Sequence, residues 1–203
     1  MTLPQELRTN RLLLLALWIV FYCSFTLFAP PLLDDADSVH AEVAREMLTR
    51  HDFVTLYANG IRYLEKAPLF YWSMAVSMKA FGVNTAASRI PLALAVLALA
   101  LLLESLARRA FASSRGGLYA GLITLSSFGI FIFSRINIPD VLVCVLLTVS
   151  LYAFWLTEQQ RRGHLANAQR LAADCGVPLA EDEFRGRPGG LSRIVDCWHK
   201  AII

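Results

Sequence analysis

The chain has 203 residues, 56% of them hydrophobic and 17% charged, with a mean hydropathy of +0.50. Soluble domains run nearer half apolar and a quarter charged. Here the excess is gathered into blocks, which excludes an ordinary water-soluble domain and predicts an all-α integral membrane protein. The net charge of +3 comes from basic residues scattered at the ends of those blocks, without the basic, aromatic-laced patch that a nucleic-acid surface needs.

A hydrocarbon core about 30 Å thick needs about 20 largely apolar residues per helix. Four stretches approach that length: 12–29, 90–107, 117–133 and 138–156. The first has no charge, the second only Glu104, and the fourth only Asp140 near its start. Arg8 and Arg11 precede the first stretch, Arg108, Arg109 and Arg115 separate the second from the third, and Arg161 and Arg162 follow the fourth. Under the positive-inside rule these groups are cytoplasmic. Residues 30–89 and 134–139 then face outward, into the periplasm of a bacterium. The first stretch is longer than a signal-peptide core and lacks a small-x-small cleavage site, so it reads as an uncleaved span. Cys23, Cys144, Cys175 and Cys197 show no CxxC spacing and indicate neither a zinc site nor a disulfide framework.

In chain order, residues 1–10 form a polar leader, and Pro30-Pro31 stops the first span. Asp34, Asp35 and Asp37 follow, with the residue types that cap a helix. Residues 38–50 predict a short amphipathic helix. Val39, Val43 and Met47 share its apolar face; His40, Glu42, Arg45, Glu46 and Thr49 its polar one. Such a helix would lie in the membrane interface. Glu46 and Arg50 are spaced for an i,i+4 pair. Residues 53–57 and 61–64 read as extended, joined by the Asn59-Gly60 turn. Pro68 opens a helix over 69–81, which carries Lys79 and stops at Gly82. At that length it reads as interfacial or re-entrant; as a true span it would break the arginine alternation. Residues 134–140, SRINIPD, form a tight outer turn. Residues 161–203 read as a polar cytoplasmic tail.

Three aspartates within four residues exceed what capping requires, and they repel one another unless a cation is near. Hard carboxylate oxygens suit a divalent cation, so Asp35 and Asp37 are candidate metal ligands and such a cation a candidate cofactor. An aspartate there also suits the role of general base. For any single aspartate, helix capping explains the position equally well. Glu65-Lys66 suits phosphate contact by the lysine, against plain interfacial anchoring. Tyr63, Tyr71 and Trp72 read first as interface aromatics and second as the lining of a lipid or sugar groove. Arg135 and Asp140 either pair with each other or close the site over the aspartate loop. His40 and His51 read as surface or interfacial residues.

The runs DDADSVHAEVAREML and NGIRYLEKAPLFYW resemble the first outer loop of bacterial lipid-linked-sugar glycosyltransferases, the lipid A aminoarabinose transferases and their protein O-mannosyltransferase relatives. The resemblance covers roughly residues 12–156, is specific in 41–48 and 59–72, and returns in the R-x-x-x-P-D of Arg135 to Asp140. It implies a C-type membrane glycosyltransferase fold and transfer of a sugar from a polyprenyl-phosphate carrier to a lipid, glycan or protein acceptor at the outer face of the inner membrane. It implies a catalytic loop aspartate, here Asp35 or Asp37. The family's D-E-x-x-Y-A-E puts that residue six before the glutamate, where this chain has Ala36 before Glu42, and both aspartates stay candidates. It implies that Lys66 contacts the donor phosphate and that Glu65 is a candidate ligand for a metal; Arg135 is the further candidate for the donor phosphate, with Asp34, Glu65, Asp140 and Tyr63 in support. His40 stands where the family has tyrosine, and Ala67 where it has the first proline of E-K-P-P.

Family members continue through further helices and a soluble outer domain. The expectation here is therefore an N-terminal membrane module, 1–160, followed by a truncated or frame-shifted tail, 161–203. The competing reading is a non-enzymatic four-helix membrane subunit or scaffold whose outer loop binds a partner. A transporter fragment is a third; the spans lack the polar, broken middles it would need.

Overall fold

In the computed structural model the residues described are 5–28, 31–32 and 36–174. The chain divides into two compact units, Met1–Ser150 and Leu151–Ile203. Among the described residues three helices are long and apolar enough to cross a membrane: Gln5–Phe28, Thr85–Ala110 and Asp140–Gly163.

The first is built from α1 (Gln5–Trp18), a π-helical turn (Ile19–Cys23) and α2 (Ser24–Phe28). Within it the Ser24 N–H donates to the Ile19 carbonyl, five residues back, so the turn holds one residue more than an α-helix would. The Trp18 indole donates to the Ala93 carbonyl at 2.6 Å, and the Tyr22 hydroxyl to the Leu125 carbonyl at 2.7 Å.

Helix α3 (Ala36–Arg50) and helix α4 (Leu69–Phe81) pack together and, through α4, on α5 (Thr85–Ala110). Between α3 and α4, strands β1 (Tyr57–Ala58) and β2 (Ile61–Arg62) form a hairpin with Tyr57 opposite Arg62. Asn59 (φ 51°) and Gly60 (φ 80°) both take the left-handed conformation that a two-residue type I′ turn demands. The Gly60 N–H donates to Glu46 Oε1 at 2.8 Å, Arg50 Nε meets Glu46 Oε2 at 2.8 Å, and the Arg50 guanidinium lies 4.4 Å from the Tyr57 ring centre. The expected Glu46–Arg50 pair is thus present, and it pins the hairpin to α3.

Asn84 caps α5 by accepting from the Ala87 N–H at 2.8 Å, and Ser113 caps α6 (Ser114–Ser126) through the Gly116 N–H at 3.2 Å. The apolar stretch 117–133 does not make one continuous helix. It breaks at Ser127, whose backbone is extended (φ −64°, ψ 123°), between α6 and α7 (Phe128–Phe133). The Tyr22 hydroxyl meets the carbonyl at this break. The last helix, α8 (Asp140–Asp174), continues past the expected start of a polar tail; residues 175–203 lie outside those described.

The core gathers Leu14, Val43, Met47, Phe70, Tyr71, Met74, Leu92 and Val96. One expectation for α3 changes. His40 and Glu46, read on its solvated face, are buried. The hairpin and α4 cover that side, so α3 is packed on two faces rather than laid on a surface.

Candidate functional site

A closed polar node sits where α3, α5 and the 134–139 turn meet. Asp37, in the first turn of α3, is 1% exposed, and Arg89, near the start of α5, is 2% exposed. Arg89 Nη2 donates to Asp37 Oδ2 at 3.0 Å. The other carboxylate oxygen accepts from the Asn137 backbone N–H at 3.0 Å. The Asn137 side chain returns a donor to the Asp37 carbonyl (3.4 Å) and another to Ser88 Oγ (3.1 Å). A buried ion pair is tolerable only when such hydrogen bonds complete it. Asp37 is therefore the anchor that holds the SRINIPD turn to two helices. Asp34 and Asp35 lie outside the described residues.

His40 extends this node toward the loop. Its Nδ1 hydrogen-bonds the Asn137 carbonyl, and its Nε2 lies 3.3 Å from the Tyr63 hydroxyl. Tyr63 in turn donates to Glu65 Oε2 at 3.1 Å. The ring of His40 is held among Tyr63, Phe70 and Tyr71, with centroids 5.7–6.2 Å away. Burial raises the hydroxyls of Tyr63 and Tyr71 above the ordinary phenol range, so both stay protonated in neutral water. Lys66, next after Glu65, is exposed.

Arg135 and Asp140 form no ion pair with each other among the described residues. The Arg135 guanidinium instead lies over Phe25 at 4.0 Å and Phe131 at 3.7 Å from the ring centres. Its Nε is buried without a hydrogen bond, and desolvation lowers its pKa from the ordinary value. Two aromatic faces fix a cation at that place, and among the described residues it makes no ion pair. Asp140 is exposed, at the first turn of α8.

Among the described residues no three His, Cys, Asp or Glu side chains converge as a metal site. Asp37 does not fit the ligand role, because Arg89 and the Asn137 N–H occupy both its oxygens. Of the aromatics, Trp72 lines an apolar groove of about 330 Å³ with Leu48, Phe53, Ala75, Val76 and Lys79. Tyr63 and Tyr71 line the polar node instead. Sequence reasoning missed Arg89, Ser88 and Asn137. Arg89 does carry a signal: a guanidinium placed directly before an apolar run needs a buried partner.

The chain is similar to known proteins. A family model described as dolichyl-phosphate-mannose-protein mannosyltransferase matches residues 65–169. The undecaprenyl phosphate-alpha-4-amino-4-deoxy-L-arabinose arabinosyl transferase of Edwardsiella ictaluri is 32% identical over 172 residues, 84% of this chain and 31% of that protein. Its counterpart in Aeromonas salmonicida is 30% identical over 172 residues, with the same coverage of 84% and 31%. The crystal structure of ArnT from Cupriavidus metallidurans bound to undecaprenyl phosphate superposes with a TM-score of 0.63 at 26% identity, covering 71% of this chain and 26% of that one. The chain spans about a third of the length of the curated relatives it matches. The matched segment and the helical membrane fold agree, and the chain belongs to the dolichyl-phosphate-mannose-protein mannosyltransferase family, with the aminoarabinose transferases among its relatives.

Proposed function

We propose that this segment forms the donor-phosphate side of a membrane glycosyltransferase. The enzyme would take a sugar from a polyprenyl-phosphate carrier and pass it to a lipid, glycan or protein acceptor. The observation that carries the reading is the exposed Lys66 on a loop tied, through Glu65, Tyr63 and His40, to a buried ion-pair node. Such a tether holds a cation in place before an anionic head group arrives, which is the condition for electrostatic stabilisation of a leaving phosphate. The likeness to a relative solved with undecaprenyl phosphate supports the same ligand class.

In this reading the acceptor oxygen forms a bond to the anomeric carbon as the carbon–phosphate oxygen bond breaks, with inversion. The acceptor proton passes to a carboxylate. With both oxygens of Asp37 engaged, Asp35 takes that role in our reading. Lys66 and the aromatic-clamped Arg135 offset the charge left on the phosphate. The arginine pattern along the sequence supports an N-terminus in the cytoplasm and the loop on the outer side of a bacterial inner membrane. A divalent cation, if the reaction uses one, would rest on Asp35 and Glu65 rather than on Asp37.

The test is Lys66→Ala at the matching position of a full-length relative. Turnover should fall about 100-fold or more, the scale for losing one preorganised charge contact. Undiminished transfer would remove Lys66 from the mechanism.

A further inference from the structure

Helices α1 and α6 run side by side in the same direction and approach most closely at one level. A Cβ on Gly121 would lie 2.6 Å from the Leu14 side chain, so α6 passes there with no room for a larger residue. Toward the start of both helices, Asn10 Nδ2 donates to Ser114 Oγ at 3.0 Å. Helix α6 begins at Ser114, while α1 reaches back past Asn10 to Gln5, about 7 Å further at 1.5 Å per residue. A cleft of about 540 Å³ opens over that step, lined by Glu6 and Thr9 of α1 and by Arg115, Leu118 and Tyr119 of α6. Glu6 and Arg115 share the cleft, yet neither joins an ion pair among the described residues. Two neighbouring arginines are turned away from it, since Arg11 and Arg108 both bind Glu104. The lining therefore offers one negative and one positive charge, each with its partner place open.

We propose that this cleft seats a zwitterionic aminophospholipid of the bilayer, with its phosphodiester against Arg115, its primary ammonium against Glu6 and Thr9, and its chains leaving along Leu118 and Tyr119. The place suits a lipid head. Helix α1 runs on from the cleft as part of a membrane-length helix, and Tyr119 is 60% exposed, as a phenol at the boundary of a bilayer is. The charges suit a zwitterion. A guanidinium is the side chain best matched to phosphate oxygens, and a carboxylate accepts from an ammonium. A purely anionic head would bring its charge beside Glu6 with nothing positive to offset it. The hydrogen-bonding groups narrow the choice further. Thr9 gives its hydroxyl hydrogen to the Gln5 carbonyl at 3.1 Å, so its oxygen is left to accept, as the Glu6 carboxylate does. A primary ammonium brings N–H donors to both, and a quaternary choline brings none. A lipid held at both charges ties α1 to α6 at the level where the helices have parted.

The experiment titrates phosphatidylethanolamine, phosphatidylcholine and phosphatidylglycerol with identical acyl chains into the full chain in detergent, and reads the affinity of the first bound lipid by native mass spectrometry. The unsubstituted chain should hold phosphatidylethanolamine about two- to fivefold tighter than either other lipid, the scale of one exposed charge contact. Glu6→Gln should erase the preference over phosphatidylcholine. Arg115→Gln should weaken phosphatidylethanolamine and phosphatidylcholine by a similar factor. Arg8→Gln removes an exposed cation of α1 outside the cleft and should change neither. The ratio between two lipids on one preparation does not depend on how much of it is folded, so the comparison holds for a less stable variant. Equal affinity for phosphatidylethanolamine and phosphatidylcholine in the unsubstituted chain, or a preference that survives Glu6→Gln, would overturn the inference. Tighter binding of phosphatidylglycerol would overturn it too, by making the cleft a plain anion site, as would an Arg8→Gln effect equal to that of Arg115→Gln.

Discussion

Helix α5 carries a buried ion pair near each end, and the two differ in kind. At one end Arg89 and Asp37 pair almost wholly buried, and Asn137 from a distant turn completes the pair. At the other, Glu104 is fully buried but receives two arginines: Arg108 at 3.2 Å on the same helix and Arg11 at 3.3 Å from α1, 29% and 36% exposed. Fifteen residues of helix put the two about 22 Å apart. The Glu104 end keeps its arginines in contact with water and joins only α1 to α5; it works as a staple. The Arg89 end is dry, ties α3, α5 and the 134–139 turn together, and passes on through His40 to the loop of Lys66. One architecture therefore uses the same chemistry twice, once to fasten helices and once to fix a loop.

The contrast is sharpest if each carboxylate is removed. Asp37→Ala takes from a dry arginine its carboxylate and from Asn137 its acceptor, and should cost about 3–5 kcal/mol, the usual scale for breaking a buried pair. Glu104→Ala leaves two arginines that can turn to water, and should cost less. Thermal unfolding in detergent measures both, and equal losses would dissolve the distinction. Close packing at the Glu104 end offers a second comparison. A Cβ on Gly117 would come within 2.9 Å of both the Glu104 backbone oxygen and the Arg108 Cβ, whereas the nearest atoms to one on Gly121 belong to the Leu14 side chain, at 2.6 Å. A leucine methyl can move and a helix carbonyl cannot. Gly117→Ala should therefore lower stability by about 1–3 kcal/mol, and Gly121→Ala by less despite its shorter contact. The reverse order would mean that α1 is the more rigid neighbour.

The smallest effect lies in the loop. Asp52 Oδ1 accepts from the N–H groups of Val54 and Thr55, each at 3.0 Å, and these bonds hold its carboxyl below the usual range. A depressed folded pKa means that the turn is supported above the ordinary value of 3.8 and loses that support as pH falls through the lower folded value. Protection of the Val54 and Thr55 amides, relative to the intrinsic exchange rate at each pH, should fall below about pH 4 and be lower already at neutral pH in Asp52→Ala. Exchange indifferent to both would show that the turn holds without its carboxylate.

Much of this was legible in the sequence, for reasons that can be named. Apolar run length marked the three long helices, and Asn59-Gly60 marked the hairpin. The break at Ser127 was not legible, because neither Ser127 nor Phe128 forbids a helix. His40 was misplaced because periodicity reports one helix at a time, while its partner Asn137 is 97 residues away. The same separation hid the commitment of Asp37. A count of acidic residues gives their charge, and only the fold says which of them already has a cation.

The π-helical turn at Ile19–Cys23 sets a phase. Each residue of an α-helix advances the side chains by about 100°, so the extra residue rotates everything before the turn against everything after it. That offset lets Trp18 reach Ala93 on α5 while Tyr22 reaches Leu125 at the break between α6 and α7. Deleting one residue from the turn would give a more regular helix and a worse protein, since one of the two rings would then face away from its carbonyl. In this helix the irregularity is the alignment mark, and a homologue that had lost it would need a different pair of residues to keep the two neighbours in step.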